Sequence, residues 1–352
     1  MLHPKNNLAI LGIYKMFKVR EVHYDITNMC NAACPQCVRT NPLTGKMHEY
    51  IKKSELSLED FQKISSPEFL KQLEYIYFCG NYGDPLVASD LLAILDYVWD
   101  CNPKLSVKVH SNCSLRDDVW WKKFAQLTSD KKFTLVASVD GASQSTQELY
   151  RVNTNFERII NNLKTFISYE GKVEWRFIVF KHNEHEVNLA KEISKQIGCI
   201  NFRSYSSNRQ FPDGKFKYLF NGETRYLEKP SYEVDNKFND RKTIEFEQLE
   251  STTAKIDCIA NKTRSIFIDF EGNVLPCCHY GIRLYTNRRN TKDVNNDTVV
   301  QETIDKFGND KFNALDLGLE TALENCGKFL DSLVPYWNKG DPLVCKMICG
   351  KK

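Results

Sequence analysis

The apolar residues of this chain come in short runs, and the segments between them carry helical patterns. Strand-like runs occupy 22–27, 75–79, 105–110, 133–139 and 173–180, with a weaker one at 200–202. Between them, apolar residues recur at helical spacing in 90–99, which opens at Asp90 as an N-cap, in 156–169, and in 186–197, which stops at Gly198. Runs of continuous apolar character suit strands covered on both faces. Six β/α units in series over 21–204 predict an α/β fold with a parallel sheet, either open or curled into a partial (β/α)6 barrel. Ligands of such sheets gather at the carboxyl ends of the strands.

After Ser204 the pattern dissolves into polar, aromatic and charged sequence with turn signals at 212–214 and at Asn221-Gly222. The stretch 205–256 is expected to be a linker or lid. A hairpin follows: 264–270 alternates, Glu271-Gly272-Asn273 turns, and 274–275 returns. The segments 301–317 and 319–337 read as helices divided by Gly318. The expected organisation is an extension over 1–20, a barrel over 21–204, the linker, and a small hairpin-plus-helix domain over 257–352. A chain of 352 residues suits one large domain and a smaller one.

Composition narrows the class. Hydrophobic residues make up 42%, enough for a core, and 48 basic against 45 acidic residues leave a net charge of +3. No basic stripe argues for nucleic acid. The apolar run 8–14 is short and flanked by Lys5 and Lys15, so neither a secretion signal nor a membrane span is expected, and the cytoplasm is the expected compartment. Thirteen cysteines, an odd number, fit poorly with a closed disulfide framework.

Three of them, Cys30, Cys34 and Cys37, form a C-x3-C-x2-C motif directly after the first strand-like run. Three thiolates on one loop can hold three corners of an iron–sulfur cube and leave the fourth iron open to a small molecule. Zinc, with a fourth ligand from a distant cysteine, is the alternative. The motif and its place on a six-unit β/α barrel resemble the radical SAM superfamily, over nearly all of residues 20–350. The resemblance implies a [4Fe-4S] cluster on Cys30, Cys34 and Cys37, with S-adenosylmethionine (SAM) chelating the open iron. It further implies one-electron cleavage to a 5′-deoxyadenosyl radical that takes a hydrogen atom from the substrate. A reductant such as flavodoxin or ferredoxin is implied as a partner.

Other segments extend the resemblance. Cys79-Gly80-Asn81-Tyr82-Gly83-Asp84-Pro85 is similar to the family's Gly-Gly-Glu-Pro segment, with Gly80, Gly83, Asp84 and Pro85 as candidate SAM contacts. Glycines let a backbone approach a ligand closely, and a carboxylate accepts from an ammonium. Asp84 and Tyr82 depart from the family pattern. Val136 to Gly141 resembles the Ser-x-Asp-Gly segment near the SAM ribose, making Ser138 and Asp140 candidates; a plain cap and turn is the alternative. Arg176, on an otherwise apolar strand, needs an anion, either the SAM carboxylate or an internal acid. Cys113 stands where the family often has glycine. His182 and His185 are candidate proton shuttles, or solvated or structural loop histidines, and Cys101 and Cys199 read as buried, inert thiols.

A second cysteine group brackets the hairpin and reaches the tail. Cys258 is followed by thirteen residues, Gly272, four residues and Cys277; Cys345 and Cys349 lie near the end. This resembles a SPASM/twitch auxiliary domain and implies a second [4Fe-4S] cluster on Cys258, Cys277, Cys345 and Cys349. Cys278 or Cys326 could replace a ligand, and structural zinc is the alternative occupant. The resemblance points to oxidative modification of a peptide or protein side chain, with dehydrogenation of a carbohydrate or aminocyclitol as the second reading. An iron–sulfur electron carrier or redox sensor is the non-enzyme reading.

Overall fold

The computed structural model describes residues 19–207, 209, 211, 214–234, 254–286, 298–337 and 342–351. The expected extension up to residue 18, residues 212 and 213 of the first turn signal, and residues 235–253 of the expected lid lie outside them. Its strands are β1 (Glu21–Tyr24), β2 (Thr40–Asn41), β3 (Lys46–Met47), β4 (Tyr75–Phe78), β5 (Ser106–Ser111), β6 (Phe133–Ser138) and β7 (Val173–Val179). They continue with β8 (Asn201–Ser206), β9 (Lys215–Phe220), β10 (Glu223–Glu228), β11 (Lys255–Ile256), β12 (Ser265–Ile268), β13 (Val274–Leu275) and β14 (Gly350–Lys351). Eight of them form one sheet in the order β13-β12-β1-β4-β5-β6-β7-β8. The six strands expected from the apolar runs are all present, and β8 runs on to Ser206 where the sequence suggested a stop at 202.

By internal contacts the chain divides into two compact units. One contains Ile26–Glu55 and Tyr77–Phe238. Here β5, β6, β7 and β8 pair in parallel. Val107, Val109, Leu135, Ala137, Trp175 and Phe177 are fully buried, as strands covered on both faces require. Helix Phe156–Ser168 turns Ile159, Leu163 and Phe166 inward, one stripe at helical spacing, and is capped by Asn155, whose side chain accepts from Arg158 N at 2.7 Å. Phe166 packs with Trp121, Phe124 and Phe133 in an aromatic cluster. Asp90 occupies the N-cap of helix Leu91–Cys101 but makes no side-chain bond to it.

The stretch that looked patternless holds a hairpin in its described part. Strands β9 and β10 pair antiparallel, and Asn221 and Gly222 both have positive φ, 49° and 82°. That is the conformation a two-residue type I′ turn demands, and Asn-Gly is its preferred dipeptide. Alternation was masked because polar Lys215, Lys217 and Glu223 share these strands with buried Tyr218, Phe220 and Leu227.

The other unit contains the described parts of residues 1–25, 56–76 and 239–352. Strand β12 pairs in parallel with β1 and antiparallel with β13, so the predicted hairpin exists. Its turn is held by Asp269, whose buried carboxylate accepts from Glu271 N, Asn273 N, Asn273 Nδ2 and the Tyr285 hydroxyl. Burial pushes that carboxyl up to about 6. The helix expected over 301–317 is broken: helix Thr298–Phe307 ends at Gly308, whose φ of 94° stops it, and only Ala314–Leu317 resumes. Helix Leu319–Trp337 follows Gly318 as predicted. Among the described residues no helix is long and apolar enough to cross a membrane.

Candidate functional site

The loop after β1 is stitched down by hydrogen bonds from its own backbone and buried side chains. Asn28, fully buried, accepts from Ser54 N at 3.0 Å and donates to Lys52 O at 2.5 Å. Asp84 N donates to Met29 O at 2.9 Å, Ala33 N donates to Val152 O at 3.0 Å, and the Arg39 guanidinium donates to Ala32 O. Cys37 N closes a turn onto Cys34 O at 3.0 Å. Cys34 is buried; Cys30 and Cys37 are partly so.

N–H groups point at two of the sulfurs. Ala32 N lies 3.3 Å and Asn112 Nδ2 3.7 Å from Cys30 Sγ, and Arg151 Nη1 lies 3.8 Å from Cys34 Sγ. Cys37 Sγ stands 4.0 Å from Asn81 O. Burial pushes the Cys30 and Cys34 thiols up, and each feels the charge of a neighbouring cysteine of the motif. A free thiolate is therefore disfavoured here. N–H donors aimed at sulfur suit thiolate, so a cationic iron centre matches this donor set. Among the described residues no three His, Cys, Asp or Glu side chains converge closely enough to hold a single metal ion.

The turn after β4 lies directly on this loop. A Cβ on Gly83 would stand 1.9 Å from Thr27 O, and one on Gly80 would stand 1.8 Å from Gly83 O. These glycines thus serve a backbone-to-backbone approach inside the protein, where the sequence suggested approach to a ligand. Asp84 is buried and caps the short 3-10 turn Pro85–Val87 through Leu86 N.

Ser138 ends β6 and is half-buried. Asp140, fully buried, does not cap the following helix, which is capped by Ser143. Its Oδ2 accepts from Arg151 Nε at 2.5 Å and its Oδ1 from Ile178 N at 2.5 Å. Burial works against the Arg151 charge, but Asp140 and Cys34 more than offset it. Arg151 therefore links a sulfur of the motif to the Ser-x-Asp-Gly segment. Arg176 takes an internal acid, Glu174, at 2.7 Å. Cys113 holds a left-handed φ of 59°, the conformation that favours glycine, and burial pushes its thiol well up. Burial also raises Cys199, to about 12. His182 stacks on Phe180 and is lowered to about 4 by burial.

The β9–β10 hairpin roofs the thiol loop. Tyr218, Phe220 and Leu227 form one apolar cluster with Ala32, Cys34, Tyr150, Phe180 and Phe211, against which Cys30 and Cys37 pack. Tyr218 Oη donates to Leu149 O at 2.8 Å and Leu219 N to Pro42 O at 2.7 Å, which fixes the hairpin on both sides.

The second cysteine group, in the other unit, rings a cavity of about 200 Å³. Cys258, Cys277, Cys278, Cys345 and Cys349 line it, with His23, His279 and Tyr280. The Cys258 thiol is pushed up by its hydrogen bond with Cys349 and by burial. Burial raises Cys277, and the Cys278 and Cys349 charges add to it. Tyr280 Oη and Cys345 Sγ are 3.0 Å apart. Cys326 is buried on the long helix and is not among the residues lining the cavity. Cys258, Cys277, Cys278 and Cys349 oppose one another's ionisation, a conflict that a cationic centre would relieve.

No family model and no curated protein matches the sequence. Solved structures do match the fold. Streptococcus suis SuiB bound to precursor peptide SuiA superposes with a TM-score of 0.52 at 14% identity, over 91% of this chain and 69% of that one. The anSMEcpe protein with bound AdoMet gives 0.52 at 15%, over 94% and 88%. Streptococcus suis SuiB bound to S-adenosylmethionine gives 0.51 at 14%, over 74% and 60%. This chain thus spans about 60% of the length of that last protein.

The chain has the radical SAM fold.

Within that fold, sequence reasoning gave no role to Arg151, Asn112 and Tyr280, each of which points a polar group at a cysteine sulfur. Arg151 carried no signal in the sequence, whereas Asn112 stands where the resembled family often has the Asn of an Asn-Gly pair.

Proposed function

We propose that the protein is a radical SAM enzyme that modifies a peptide or protein side chain oxidatively. The observation that carries this reading is the three-thiol loop on this fold, with N–H donors aimed at Cys30 and Cys34 and an apolar roof above it. Cys30, Cys34 and Cys37 would hold a [4Fe-4S] cluster, which when bound would supply an open iron and one electron for reductive cleavage of SAM to methionine and a 5′-deoxyadenosyl radical. The residues of the chain do the rest. Backbone around Gly83 borders the loop, the Asp140–Arg151 pair flanks it, and Tyr218, Phe220 and Leu227 keep water from the sulfurs. A flavodoxin or ferredoxin would deliver the electron.

The five-thiol cavity supports a second cluster, with Cys258, Cys277, Cys345 and Cys349 as ligands and Cys278 as the one that can substitute. Its task would be to accept the electron left on the substrate. The peptide reading draws on fold neighbours: SuiB is bound to precursor peptide SuiA and anSMEcpe to a Cp18Cys peptide.

The test is iron and acid-labile sulfide per chain after anaerobic reconstitution, followed by 5′-deoxyadenosine release under reduction. About eight irons are expected, falling to about four in a Cys30→Ala, Cys34→Ala, Cys37→Ala variant, with all 5′-deoxyadenosine lost. Iron that is indifferent to these substitutions, or a reduced holoprotein that leaves SAM intact, would sink the reading.

A further inference from the structure

Asp84 is 5% exposed, and the protein itself occupies its carboxylate. Oδ1 accepts from Leu86 N at 3.0 Å. Oδ2 accepts from Ser111 Oγ at 3.0 Å, Asn112 N at 2.8 Å and Asn112 Nδ2 at 2.7 Å. Three donors fill that oxygen, so it has no capacity left for the ammonium of a ligand. Asn112, 4% exposed, is equally constrained. Its Oδ1 accepts from Ser114 N at 2.9 Å, which decides which end of the amide is which. The amide nitrogen has two hydrogens. One meets Asp84; the other faces both Asn31 Oδ1 at 2.9 Å and Cys30 Sγ at 3.7 Å.

We propose that Asp84 and Asn112 act as a positioning pair for Cys30: the carboxylate orients the amide, the amide donates to the sulfur, and Asn31 competes for the same hydrogen. The inference deepens the reading above and rests on Cys30 being a cluster ligand. A hydrogen bond to a ligand sulfur withdraws charge from it and favours the reduced cluster, so such bonds help set the reduction potential. Asn112 then raises the potential of this site, and Asn31 moderates the effect. Asp84 acts through Asn112.

The test is a potentiometric titration of the anaerobically reconstituted full chain, read by electron paramagnetic resonance. Cys258→Ala and Cys277→Ala are carried throughout, so that only the three-thiol site titrates. In that parent, Asn112→Ala is expected to shift the midpoint to more negative values. Asn31→Ala, which frees the shared hydrogen for Cys30, is expected to shift it to more positive values at unchanged iron content. Opposite shifts from two neighbouring neutral truncations are not what a loosened fold produces. If Asn112→Ala fails to hold iron, the sign for Asn31→Ala decides alone. A midpoint that neither variant moves, or that both move the same way, overturns the inference and leaves the cluster reading standing. A parent without iron at the three thiols overturns that reading and the inference with it.

Discussion

A partly buried histidine, His182, stacked on Phe180 gives a residue-scale test of the electrostatics. Burial lowers His182 to about 4, so between that value and its ordinary 6.5 the unfolded chain binds a proton that the folded chain refuses. Stability therefore rises with pH through this window, is complete above it, and is lost as pH falls towards 4. His182→Phe should flatten that slope, seen as a smaller gain in urea midpoint between pH 5 and pH 7 than the native protein shows. A solvated histidine would not carry the slope. Gly83 tests the packing. With Thr27 O at 1.9 Å from an added Cβ and Met29 O at 2.9 Å, Gly83→Ala should cost about 3 kcal/mol or more in chemical denaturation. The motif residues were legible because their types and spacing carry chemistry. Their hydrogen-bond partners were not, since Asn112 and Arg151 are ordinary residues made special by what β5 and helix Gln144–Tyr150 bring near them.

At the scale of elements, period and punctuation separated what could be read from what could not. Doubly covered strands such as β6 and β7 announce themselves as apolar runs. Gly318 divided two helices as expected, while Gly308 broke a helix that the apolar spacing carried straight through. The β9–β10 hairpin was the costliest miss, for only its Asn-Gly turn was visible. One face of it packs on Ala32 and Cys34 while the other carries Lys and Glu to solvent. Replacing residues 215–228 by a short polar linker should leave anaerobic iron content unchanged. It should speed bleaching of the visible cluster absorbance in air several-fold. Equal bleaching rates would mean that the hairpin is no barrier.

At the scale of the whole molecule, each compact unit carries its own set of thiols, and that division sets how losses combine. Serine at Cys258, Cys277, Cys345 and Cys349 should remove about four irons whether or not Cys30, Cys34 and Cys37 are intact. Departure from additivity, measured as iron per chain in the combined variant, would show that the two sites depend on one another. The wiring of the three-thiol loop also has a consequence for biosynthesis. Its supports come from far downstream: Asp84, Asn112, Arg151 and finally Leu227. Translation at roughly 5–20 residues per second needs about 10–40 s to travel from Cys37 to Leu227. For that interval the motif exists as three reactive thiols on a nascent chain with no roof. Oxidative damage therefore has its widest opening before the ribosome reaches the hairpin.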